Sequence, residues 1–154
     1  GQAWAEKNSG IMIHSQAPET MLLNQGFPLS LEFQLLGGVK NGIQRPSGNL
    51  CTPATYVEMK GEKITEHCIM AESNTYYGEE WIEAEVIVDG NSITHFIDGE
   101  LAISYSKPSI GGEYLDSASE DIQAKDGETL TNGYISLQSE SHPVEFRKIQ
   151  ILEL

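Results

Sequence analysis

The residues of this sequence that could do chemistry are found by alternation. From residue 27 to 35 (Phe-Pro-Leu-Ser-Leu-Glu-Phe-Gln-Leu) the odd positions are apolar and the even positions mostly polar. That is the period-two pattern of a strand with one face in a core. It puts Ser30, Glu32 and Gln34 on the other face. The same reading of residues 10–14 turns Ile11 and Ile13 inward and leaves Met12 and His14 outside, and toward the C-terminus it leaves Ser136, Gln138, Glu145 and Arg147 outside. If these strands are neighbours, one sheet face holds an imidazole, a carboxylate, two amides and a guanidinium. Such a set suits a polyhydroxylated ligand, because amides and charged groups make paired hydrogen bonds to hydroxyls. Tyr76, Tyr77, Trp81 and Tyr114 offer rims on which a sugar face could stack.

Each of these residues also has an ordinary use. Glu32 on an exposed strand face is a solvated carboxylate in most proteins. Arg147 has the choice of pairing with Glu32 or Glu145 across the sheet, which would hold Glu32 ionised. Gln34 and Gln138 are plain polar strand residues unless they converge. His14 reads equally as a hydrogen-bonded surface histidine, His142 beside Pro143 as a turn cap, and Trp81 as edge packing.

The elements that must position these side chains are strands. Residues 81–88, 92–97, 100–105 and 133–139 alternate, and Asp98-Gly99 is a strong two-residue hairpin signal because both central positions need positive φ. Residues 144–152 predict a last strand, with a parity change at Arg147-Lys148 that predicts a bulge. Eight or nine strands with little helix read as an antiparallel sandwich or barrel. Residues 37–61 and 107–133 lack periodicity and predict two long loops, the second acidic, solvated and mobile.

Composition narrows the partners. The 154 residues predict a single domain, 1–154. Nine basic against 23 acidic residues give a formal charge of −14, which speaks against nucleic acid and against a polybasic membrane anchor. No apolar run has the length of a membrane span, and the first four residues carry no signal-peptide pattern. A neutral carbohydrate remains a fitting partner. The two cysteines, Cys51 and Cys68, lack zinc-finger spacing; a disulfide, implying an oxidising compartment, is the favoured reading, and two packed free thiols are the other.

Several segments together resemble the 3-keto-disaccharide hydrolase domain family. They are Asn8-Ser9-Gly10-Ile11, Glu32-Phe33-Gln34, Gly48-Asn49-Leu50-Cys51, Asn74-Thr75-Tyr76-Tyr77-Gly78, Glu80-Trp81, Asp98-Gly99, Ile135-Ser136-Leu137-Gln138 and Pro143-Val144-Glu145-Phe146-Arg147. The resemblance runs from about Asn8 to Leu154. It implies an all-β, concanavalin A-like jelly-roll sandwich of two curved antiparallel sheets with a ligand groove on the concave face. It implies a glycoside-acting hydrolase, secreted or periplasmic, acting on sugars oxidised at C3. Members of that family carry several strands before the segment matching Asn8, and only residues 1–7 precede it here, so the expected sandwich lacks N-terminal strands. Where relatives often have Arg, this chain has His14. Where they have Asp-His after Leu-Gln, it has Ser139-Glu140, with His142 nearby.

Two mechanisms fit a hydrolase. One uses two carboxylates across the glycosidic bond, about 5.5 Å apart for retention or about 6.5–9.5 Å for inversion, with Glu32 and either Glu140 or Glu145. No glucanase-like carboxylate cluster is present, so the second is preferred. A C3 ketone acidifies the C2 proton, a base (His14 or Glu32) removes it, the C1 substituent leaves, and water adds back. Arg147 or a divalent metal would stabilise the enolate. Gln34, Gln138, Glu140, His142, Tyr76 and Tyr77 would hold the sugar. No cofactor other than such a metal is implied. The competing class is a non-catalytic, lectin-like carbohydrate-binding module, which needs the amides and aromatics but no titrating base. A third is an interaction domain that buries the polar face against a partner.

Overall fold

The computed structural model of the chain describes residues 2, 5–39 and 42–154. Ten strands form two five-stranded sheets, a β-sandwich of the jelly-roll kind. The first sheet runs β10(Tyr134–Ser139)–β1(Asn8–Ser15)–β2(Leu31–Leu36)–β3(Asn49–Cys51)–β6(Cys68–Ile69). The second runs β5(Glu62–Ile64)–β4(Thr55–Met59)–β9(Glu100–Ile110)–β8(Ser92–Ile97)–β7(Ala84–Asp89). All named strand pairs are antiparallel.

The core lies between the sheets, and the predicted parity holds for Ile13, Leu31 and Phe33. Ile13, Leu31, Phe33 and Leu50 come from the first sheet, and Val57, Ile93, Ile97 and Tyr105 from the second. Burying each large apolar side chain contributes about 1.5–3 kcal/mol. His95 sits among them, fully buried. Its ring stacks on Phe33 with centroids 4.2 Å apart. Nδ1 lies 2.9 Å from the Gly48 carbonyl oxygen, and Nε2 lies 2.9 Å from the Tyr105 hydroxyl. Burial holds this imidazole down to about 4, so it is neutral at physiological pH. The Asp98-Gly99 turn forms as its sequence demands, with φ of 50° and 79°.

Five expectations are corrected. The strand expected over 27–35 begins only at Leu31. Ser30 is fully buried, its N–H donating to the Pro53 carbonyl, and so is not on the open face. The expected loop 37–61 contains β3 and β4, too short for period two to show. The expected loop 107–133 is held down: β9 continues to Ile110, and Leu115, Ile122 and Leu130 pack on Leu29, Ala54 and Ile110 around a one-turn helix, α1(Glu120–Gln123). Residues 144–152 join no ladder; Lys148 takes a left-handed φ of 53° where the bulge was expected. Among the described residues no helix is long and apolar enough to cross a membrane.

Candidate functional site

The outer face of the first sheet is organised by register into transverse rows. Ser136 faces Met12, Met12 faces Glu32, Glu32 faces Cys51, and Cys51 faces Cys68. The next row is Gln138, Gly10, Gln34 and Asn49. Beyond it, Glu140 donates its backbone N–H to the Asn8 carbonyl and accepts a hydrogen bond from Asn8 Nδ2. Of the four strands expected to be neighbours, those of His14, Glu32 and Gln138 lie side by side as β1, β2 and β10, whereas the segment of Arg147 joins neither sheet. Cys51 and Cys68 are joined as a disulfide beside Glu32.

Gly10 explains how Glu32 sits. A Cβ at position 10 would lie 2.9 Å from Glu32 Oε1 and 3.0 Å from its Cγ. The carboxyl therefore leans across the backbone of β1 into the space a side chain would fill, toward the strand of Gln138 and the Asn8–Glu140 pair. It is 4% exposed, and Oε1 has no hydrogen-bond partner. Burial, and then the charge of Glu140, push its pKa up to about 8. Glu140 is itself raised by burial, against the opposing pull of its Asn8 hydrogen bond. Two more buried acceptors on this face are unpartnered, Asn8 Oδ1 and Gln138 Oε1. Gln34 is held in place: Asn49 Nδ2 donates to its Oε1 at 3.0 Å and to the Pro46 carbonyl at 2.9 Å, while Asn49 Oδ1 accepts from Ala71 N–H at 2.8 Å.

Beside this cradle an open cavity of about 420 Å³ is lined by Met12, Phe27, Pro28, Gln138 and Glu140 among others. An aromatic wall stands at one side. Phe27 meets Tyr114 edge-on at 5.3 Å, and Tyr114 meets His67 edge-on at 5.1 Å. Burial, Glu113 and the charge of Glu140 raise the Tyr114 phenol. Tyr114 holds a left-handed φ of 71°, a conformation costly for a bulky residue.

The remaining expected site residues are dispersed. Arg147 lies over the Trp81 ring, its Cζ 4.0 Å from the centroid, and is not among the charges that move Glu32. A left-handed φ of 48° and a register shift between Met12 and Ser15 take His14 out of the ladder; its Nε2 is buried without a partner. His142 accepts at its carbonyl from Ser139 Oγ at 2.5 Å. Tyr76 packs against the core between the sheets, where burial and then Asp98 raise its phenol. Tyr77 lies against Gly38, half exposed. Asn8, Gly10 and Phe27 were not among the expected site residues. Asn8 and Gly10 share the parity of Met12, which is the signal that could have found them. Phe27 was expected in the core because the alternation continues past the point where the strand stops.

The face thus combines a buried carboxyl, pushed up to about 8, with two amide oxygens, Asn8 Oδ1 and Gln138 Oε1, that lack donors. The chain belongs to the 3-keto-alpha-glucoside-1,2-lyase-like domain family, whose model matches residues 2–152. No curated protein and no solved structure matches it. The family implies a carbohydrate ligand.

Proposed function

We propose that the outer face of the first sheet binds a glycoside oxidised at C3 and that Glu32 starts its cleavage by removing the C2 proton. The supporting observation is the state of Glu32: buried, leaning over Gly10, with a pKa pushed up to about 8. A carboxylate of ordinary pKa is a weak base; one near 8 is matched to proton abstraction beside a ketone. Glu32 takes the C2 proton, and its electron pair passes into the C3 enolate. The ketone then re-forms as the C1–O bond breaks and the C1=C2 bond forms. The departing oxygen takes a proton from Glu140 or from solvent. Stopping here is a lyase reaction. Addition of water at C1, with return of a proton to C2, completes a hydrolysis. Gln34 and Gln138 orient the sugar hydroxyls, and the Phe27–Tyr114 wall faces the leaving group.

Turnover of a 3-keto-glucoside and of the unoxidised glucoside, by wild type and Glu32→Gln, tests this. Only the keto sugar should be cleaved, and the variant should lose at least about 100-fold in kcat, the usual contribution of a positioned base. Full turnover by Glu32→Gln refutes the assignment. Sugar binding without turnover moves the chain to the lectin-like class.

A further inference from the structure

Elimination through an enolate needs positive charge at the C3 oxygen, and the expected supplier, Arg147, is engaged with Trp81. The other cations with described contacts are also engaged elsewhere. Lys7 donates to the Gly38 carbonyl, Arg45 to the Gly37 carbonyl and Lys107 to Glu58, and Lys63 lies over Tyr56. What surrounds Gly10 is instead a set of oxygen acceptors. Glu32 Oε1, Asn8 Oδ1 and Gln138 Oε1 are buried and unpartnered, and the Glu140 carboxylate is tied to Asn8. More than nine in ten buried polar groups have a partner in a folded protein, so three orphaned acceptors on one face, on Glu32 over Gly10, on Gln138 opposite it and on Asn8 two residues before it, call for something that supplies positive charge or protons. Among the described residues no three His, Cys, Asp or Glu side chains cluster as a metal site; half of this acceptor set is amide.

We propose that the cradle beside Gly10 binds a hard divalent cation, with Glu140, Asn8 and Gln138 as its oxygen ligands and the Glu32 carboxyl next to it, uncoordinated and free to act as the base. Carboxylate and amide oxygens are the donors that Ca²⁺, Mg²⁺ and Mn²⁺ prefer, and they do not select zinc. A chain with a net charge of −14 also concentrates cations near its surface. The cation sits beside Glu32 and takes the role first given to Arg147; that catalytic role, unlike the binding itself, rests on the reaction proposed above.

Binding is read without turnover. Mn²⁺ is titrated into the full chain at pH 8 and free Mn²⁺ is followed by electron paramagnetic resonance, with Ca²⁺ as competitor. Wild type should bind one equivalent below millimolar concentration. Glu140→Gln should weaken it at least tenfold, and so should Gly10→Ala, whose methyl would push the Glu32 carboxyl out of its place over β1 and into the cradle. Asp116→Asn with Asp121→Asn, on the acidic loop, should leave it unchanged. Absence of binding at millimolar Mn²⁺, or equal binding by wild type and Glu140→Gln, overturns the site. The two readings fail separately: keto-sugar cleavage at full rate in EDTA, with no Mn²⁺ bound, removes the cation and keeps the elimination. Site-specific Mn²⁺ binding without cleavage does the reverse.

Discussion

Replacing Glu32 by Gln should make the protein more stable at alkaline pH while removing its activity. In the folded chain this carboxyl holds its proton up to about pH 8, against an ordinary value of 4.5. Its folded pKa is the higher one, so the native state binds more protons than the unfolded chain between those values. Stability is therefore fully present below pH 4.5 and is lost as pH rises through 8. Integrated from pH 5 to pH 9, the loss is about 4 kcal/mol, a large part of the roughly 5–15 kcal/mol that holds a domain together. Glutamine has nearly the shape of the neutral acid and nothing to ionise. Urea unfolding with the disulfide intact, at pH 5, 7 and 9, gives the comparison. The two proteins should be similar at pH 5 and diverge by several kcal/mol at pH 9, with unchanged m-values. Repulsion among the other acids affects both proteins alike and cancels in the difference. Parallel profiles would mean that Glu32 ionises at little cost in the native state, and the case for it as a base near pH 8 would fall with them.

Four further outcomes are expected. With Glu32 as base, kcat/KM should climb as pH rises through about 8, because at pH 7 only about a tenth of the molecules carry the carboxylate; a flat profile from 6 to 9 points to another base. Tyr105→Phe should cost about 1–3 kcal/mol in urea unfolding, since His95 Nε2 loses its buried partner. His95 itself, held down to about 4, should erode stability as pH falls from 6.5 through 4; an acid limb absent from the wild-type profile would contradict its burial as a neutral ring. Arg147→Ala should change kcat less than about threefold, the guanidinium being engaged with Trp81; a loss of 100-fold would restore the role the sequence suggested for it.

Much of this fold is legible in the residues, for reasons that can be named. Leu31, Phe33 and Leu35 alternate with Glu32 and Gln34 because β2 has the apolar core on one side and a polar face on the other. Asp98-Gly99 is legible because few other pairs tolerate two positive φ values. The three-residue β3 offers too few positions for a period to appear, yet it places Cys51 beside Glu32. Residues 144–152 carry a strand's pattern without a strand's partner. Alternation records which side chains avoid water, and it does not name the neighbour that supplies the hydrogen bonds. The same limit applied to the site. Parity placed Glu32, Gln34 and Gln138 on one face, but it could not show that Arg147 lies over Trp81, or that a glycine is the centre of the cradle.

The close stacking of Phe33 on His95 has a consequence for how the site comes into being. Glu32 precedes Phe33 on the same strand and points to the opposite side. A slip of β2 by one position would expose Phe33 and drive the carboxyl into the layer where His95 lies neutral, with no cation to meet it. Misregistered chains therefore carry both an exposed aromatic ring and a buried acid, two faults that a folding chain corrects quickly because each is costly alone. Correct alignment of the interior and correct alignment of the outer face are thus one event. A polypeptide that has closed its core around Phe33 has already set the Glu32 carboxyl in place.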